Sequence, residues 1–407
     1  MTFFYIVSIL VLLELGLYLV VNLQRSKFQW LITTRDELPK FDQLALEKFH
    51  KTSFDPHLGW VRKPRSSGTE QGWEGPINFS IDATGSRNNR FNSAPAMIAA
   101  FGDSYTFCRQ VEDDETWEAQ VADAGEFGVL NYGVGNYGID QALLRYESIE
   151  LPSSVKVVVM GFVPETISRI QSYWKHYLEF GNTFAFKPRF TLEPGGQLRL
   201  VENRIRDLSD YARLPEYLSE IQQTDHFYRS KFRALQYRLP YTLSLLRHPI
   251  KQTSLLAALA IRGCARLLGI TSEYSENQPF MQVMKANICD AQKLYRDTES
   301  RKLLAAICYR FKLAAEAKGH LPLLLIMPQL LDLKMSIDRE NTSYQSFYSE
   351  LEHQMDVLDM TSCFMETDFE DLYINDQYGG HLSVEGNRMV AERIMTWLAG
   401  KDAIHQP

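Results

Sequence analysis

The sequence predicts a three-layer α/β domain around a parallel sheet, interrupted by a helical insertion and preceded by a membrane-spanning helix. Short apolar runs recur along the chain, at Ala96–Phe101, Gly128–Tyr132, Lys156–Phe162, Leu321–Met327 and Val357–Asp359. The central ones are apolar on both faces, as strands covered on both sides must be. Stretches with helical patterning separate them, at Thr106–Ala124, Asp140–Ile149, Ser300–Lys318 and Tyr344–His353. Strands alternating with helices make a parallel sheet with helices on both faces. Finally, Phe3–Val21 is apolar apart from Glu14 and has the length that crosses a bilayer.

Taken in order, residues 1–24 read as a transmembrane anchor. No small-residue cleavage site follows the apolar run, so the helix is expected to stay uncleaved. Arg25 and Lys27 follow it and no Lys or Arg precedes it, which leans toward a cytoplasmic domain but leaves the side open. Glu14 is either tolerated within a single span or paired with another membrane helix. Residues 25–95 read as a lead-in rich in turns, with a short strand at Asn78–Asp82. The sheet domain is expected over 96–170 and 300–407, and the mainly helical insertion over 171–299. Within the insertion, Ile250–Ile270 is an amphipathic helix that either packs internally or lies on a membrane surface.

Composition narrows the function. The 407 residues carry a net charge of -7, which argues against nucleic acid as the main partner. The five cysteines have no Cys-x-x-Cys spacing, so neither a disulfide framework nor a zinc site is expected.

The chemistry centres on Gly102-Asp103-Ser104-Tyr105, just after the first strand. A serine on a strand-to-helix turn presents its hydroxyl as a nucleophile. Its backbone N–H, at the positive end of a helix expected over Thr106–Gln120, can help hold an oxyanion. Such a serine needs a base and a group to orient that base. His381 is the candidate base, on a glycine-flanked loop before a final helix over Val384–Ala399 that Ser383 can cap. Asp376 on the same loop is the candidate orienting acid.

These blocks resemble the SGNH (GDSL-type) hydrolase superfamily, in its membrane-anchored bacterial form. Gly102-Asp103-Ser104 matches the first block, and Asp376 with His381 the last. Asn131-Tyr132-Gly133-Val134-Gly135-Asn136 matches the second, which places a backbone oxyanion donor at Gly135 or Asn136, beside that of Ser104. The resemblance implies a flavodoxin-like sheet and a serine esterase, without metal or cofactor, acting on an acylated small molecule, glycan or lipid. It also implies an alternative, O-acyl transfer to or from a polysaccharide, for which an aromatic lid at Tyr173–Tyr177 would exclude water. A non-catalytic binding module on the same fold is the third reading.

Two positions depart from the family pattern. Where an oxyanion-donating Asn is usual, this chain has Glu165, which cannot donate when ionised. Asn131, Asn136 or Thr166 would then have to substitute, or Glu165 be protonated. The acid three residues before the histidine is replaced by Tyr378, leaving Asp376, Asp371, Asp368 or Glu370 as candidates, or a Ser–His dyad. Arg87 and Arg109 are expected either to hold an anionic substrate group or to form surface ion pairs. Trp174 and His176 either stack on a sugar or pack within the insertion.

Overall fold

The computed structural model describes residues 2–25, 38–72, 75–91, 94–179, 181–337, 342–374 and 380–401. By compactness the chain forms two units. One contains residues 50–171, 187–203 and 288–407, the other residues 1–49, 172–186 and 204–287. The lead-in beyond residue 49 therefore belongs with the sheet, as do two pieces of the stretch read as an insertion.

The sheet unit is organised by five parallel strands: β1 (Ala96–Gly102), β2 (Gly128–Gly133), β3 (Val157–Phe162), β4 (Leu321–Ile326) and β5 (Asp356–Asp359). Their spatial order is β5-β4-β3-β1-β2. Numbered along the chain this is 2-1-3-4-5, the flavodoxin-like order. Central strands alternate nothing: all six residues of β3 are buried, because helices cover both faces.

On one face lie α2 (Trp117–Gly125) and α8 (Val384–Ala399), which pack on each other. Trp117, Val121, Val390 and Ile394 fill the space over Ile98, Val159 and Leu325. On the other face lie α3 (Ile139–Ser148) and α6 (Thr298–Ala317). There Tyr146 meets Phe101 and Phe311 edge-on, with ring centroids 5.4 and 5.9 Å apart. A further helix, α7 (Ser343–Leu351), packs on β5.

Cap chemistry sets two helix starts, of which the Ser383 cap was expected from the sequence. Thr116 accepts from the Ala119 N–H (3.1 Å) to open α2, and Ser383 accepts from the Gly386 N–H (3.2 Å) to open α8. The lead-in guards the β2 edge: the Arg87 N–H donates to the Asn131 carbonyl at 2.8 Å.

One expectation fails. The helix predicted from Thr106 starts only at Trp117. Arg87 explains the delay, since its guanidinium binds the carbonyls of Phe107 (2.6 Å), Cys108 (2.8 Å) and Val111 (2.6 Å). Carbonyls taken by a buried cation are not offered to a helical ladder, and Cys108 adopts φ 55°. Arg87 is also paired with Asp113 at 2.7 Å. It is a structural brace rather than an anion-binding or surface residue.

The second unit contains α1 (Thr2–Arg25), α4 (Tyr241–Arg247) and α5 (Pro249–Leu268). Over Phe4–Asn22, α1 has a mean hydropathy of 2.5 and is long and apolar enough to cross a membrane. Trp174 and His176 are buried inside this unit. Trp174 stacks on Phe186 (4.7 Å, 15°) and Asp225 holds the backbone N–H groups of Tyr173 and Trp174 at 2.6 and 2.9 Å. Burial drops the His176 imidazole to about 4. The aromatic stretch is thus core, not a sugar-stacking surface.

Candidate active site

The turn that carries Ser104 exists because β1 and β3 approach closely at their carboxyl ends. A Cβ on Gly102 would lie 1.8 Å from the Gly161 carbonyl oxygen, so only glycine fits. That carbonyl accepts from the Thr106 hydroxyl (2.8 Å) and the Asp103 N–H (3.3 Å), which pins the turn across the sheet.

Asp103, fully buried, is the hub. One carboxyl oxygen accepts from the Tyr105 N–H at 2.8 Å. The other accepts from the Val163 N–H (3.1 Å) and from Arg169 (2.9 Å). Burial lifts its pKa above the ordinary carboxylate value, against the pull of the Arg169 charge. The result fixes the backbone on both sides of Ser104, whose Oγ lies 2.9 Å from His381 Nε2.

His381 is held from three directions. Its backbone N–H donates to the Gln110 side chain at 3.0 Å. The Tyr105 hydroxyl donates to the Gly380 carbonyl at 2.6 Å, and the Tyr105 ring lies against the imidazole with centroids 5.0 Å apart. Burial, with smaller contributions from Arg109 and Arg169, drops the imidazole to about 3 and keeps it neutral. Among the described residues its Nδ1 has no hydrogen-bond partner. Asp376 lies outside the described residues. Glu370 is engaged by Lys334 at 2.9 Å, and neither Asp368 nor Asp371 bonds to that nitrogen.

The expected oxyanion positions follow β2. Val134 donates to the Gly102 carbonyl (3.0 Å), which ties this loop to the serine turn. Asn136 sits at φ 68°, and a Cβ on Gly135 would meet nothing within 4 Å, so the backbone borders open space. Among the described residues, the N–H groups of Ser104, Gly135 and Asn136 have no hydrogen-bond partner. Three donors are therefore available. Because α2 begins only at Trp117, the Ser104 N–H does not stand at a helix N-terminus as the sequence had suggested.

Glu165 is buried, and its Oε2 accepts from Arg169 and from the Gln329 side chain, each at 3.2 Å. Asn131 is spent: its amide donates to the Thr106 carbonyl (2.8 Å) and accepts from the Gly133 N–H (2.9 Å). The Thr166 hydroxyl accepts from the Ile139 N–H at 2.9 Å. Arg109 pairs with Glu70 at 2.9 Å.

No role was read from the sequence for Tyr105, Gln110, Arg169 or Gln329, although Tyr105 lies in the motif with Ser104. Only Arg169 left a readable trace, as the i+4 partner of an unusual glutamate. The others act across long sequence separations. Among the described residues, no three His, Cys, Asp or Glu side chains converge as a metal-binding set.

No family model matches the chain, and no curated protein matches it. Among solved structures it is similar to a protein of Desulfitobacterium hafniense assigned to the G-D-S-L lipolytic family. That match has 12% identity and a TM-score of 0.33, and covers 74% of this chain and 98% of the other. A G-D-S-L-family lipolytic protein of Veillonella parvula matches at 10% identity and TM-score 0.32, over 75% and 98%. Likeness at that level carries no argument. The fold rests on the strand order, and the site on its own distances.

Proposed function

We propose that this chain is a membrane-anchored serine esterase of the SGNH type, acting on an acyl ester of a small molecule, glycan or lipid. The observation that carries the reading is the 2.9 Å contact between Ser104 Oγ and His381 Nε2. A neutral imidazole in that position accepts the hydroxyl proton as Oγ attacks the ester carbonyl. The negative charge that develops on the carbonyl oxygen is met by N–H groups of Ser104 and of Gly135 or Asn136. His381 then passes the proton to the leaving alkoxide, and the acyl group remains on Ser104. In the second half, His381 takes a proton from water, the hydroxide attacks the acyl-serine, and the proton returns to Oγ. Asp376 is assigned the role of orienting Nδ1. The span Phe4–Asn22 supplies the membrane tether.

Turnover of p-nitrophenyl acetate tests the assignment. Ser104→Ala is expected to lower kcat by at least about 10⁴-fold while the circular dichroism spectrum is unchanged. Undiminished turnover by that variant would remove Ser104 from the mechanism.

A further inference from the structure

Glu14 stands near the middle of the apolar span. At 1.5 Å per residue, it lies about 12 Å from the Asn22 end and about 15 Å from the Phe4 end. An ionisable group at that depth needs partners, and here they are specific. Its carboxyl oxygens accept from the backbone N–H of Tyr241 and Thr242 and from the Thr242 hydroxyl, the last two at 2.9 Å. Those N–H groups are donors that the start of a helix leaves unpaired. In hydrocarbon each would cost several kcal/mol if left so. Glu14 and the first turn of α4 thus satisfy each other.

The contact continues along the same side of α1. Leu17 and Val21 pack with Tyr237, Tyr241, Leu245, Leu255, Leu256 and Leu259, and the Tyr18 ring lies 6.3 Å from that of Tyr241. Outside this contact, the turn that Glu14 caps is apolar and open. Leu239 is 66% exposed and Leu243 44%, and Leu246 beyond them is 74% exposed. Residues 239–246 carry no charge.

From this we infer that the turn Leu239–Leu246 is a second membrane-inserted element, a helical wedge that enters the bilayer beside α1 without crossing it. The inference rests on the reading of α1 as a span. Glu14 then fixes the depth: the start of α4 must sit where Glu14 sits, about 12 Å inside the hydrocarbon. Lipid is therefore the occupant of the exposed leucine face. The wedge also gives Glu14 a physical reason to be in an otherwise apolar helix.

The test uses the full chain in phosphatidylethanolamine–phosphatidylglycerol vesicles doped with a phospholipid bearing a diazirine in its acyl chain. After irradiation, the modified peptides are mapped by mass spectrometry. Adducts are expected on α1 and also on residues 239–246. Glu14→Leu is expected to lower the yield on 239–246 about tenfold while that on α1 holds, as loss of a charged hydrogen-bond set predicts. Adducts on α1 with none on 239–246 in the unaltered chain overturn the wedge and leave the span intact. Adducts on neither overturn the span itself. Cross-links from 239–246 to a second copy of the chain, without lipid adducts there, show a protein interface and also overturn the wedge.

Discussion

His381 is buried, neutral and pressed by two arginine charges, and this sets its chemistry. A general base works only while deprotonated, so activity is lost as pH falls through its pKa. With the imidazole dropped to about 3, kcat/KM for p-nitrophenyl acetate is expected to stay flat from pH 8 down past the ordinary histidine value near 6.5. An acid limb centred at or above 6.5 would show that a carboxylate at Nδ1, the role assigned to Asp376, outweighs the effect of burial. Tyr105 holds the loop rather than the reacting atoms. Removing its hydroxyl in Tyr105→Phe deletes the 2.6 Å bond to Gly380, which is expected to lower kcat about tenfold with little change in KM. Equal loss in both constants would mean that the loop binds substrate instead. At this scale the sequence was readable in part. Ser104 and His381 were visible as chemistry, and Glu165 as a departure from a pattern. The ties that position them were hidden, because Arg169 to Asp103 and Tyr105 to Gly380 join residues distant in sequence.

Elements tell a sharper story about what local pattern can reveal. The five strands were legible because consecutive apolar residues have few other uses in a chain of this length. Final helix α8 was legible from Ser383 as its cap. The helix expected from Thr106 was not, since its first carbonyls are captured by Arg87, a residue about twenty positions upstream. Within α2, Glu118 is a liability of the same hidden kind. Fully buried against the Cys108 thiol (3.3 Å), it is pushed up to about 8, first of all by desolvation. With the folded pKa raised above its unfolded value near 4.5, folding stability is full below 4.5 and is lost as pH rises toward 8. Glu118→Gln should therefore raise the unfolding temperature more at pH 7.5 than at pH 4.5. The gain at pH 7.5 should be on the order of 3 kcal/mol. Equal shifts at both pH values would show that the carboxyl charges freely in the fold. A related steric expectation concerns β1. Gly102→Ala places a methyl 1.8 Å from the Gly161 oxygen and should cost about 3 kcal/mol in urea unfolding.

At the scale of the whole molecule, the apolar helix α1 and the sheet unit answer two separate questions, where the protein resides and what it does. If α1 spans a membrane, the full chain should remain in the pellet after alkaline carbonate extraction, as proteins held only by charge do not. The central claim is narrower. The turn that carries Ser104 is held by Asp103, Thr106 and Gly161, the Ser104 Oγ lies 2.9 Å from His381 Nε2, and we propose Ser104 as a nucleophile on that ground. A fluorophosphonate probe reads that property directly, without a known substrate. The account predicts a stoichiometric adduct on Ser104 in the folded chain, abolished by heat denaturation and by His381→Ala. A folded sample with no adduct on Ser104 would contradict it and leave a sheet domain that binds rather than reacts.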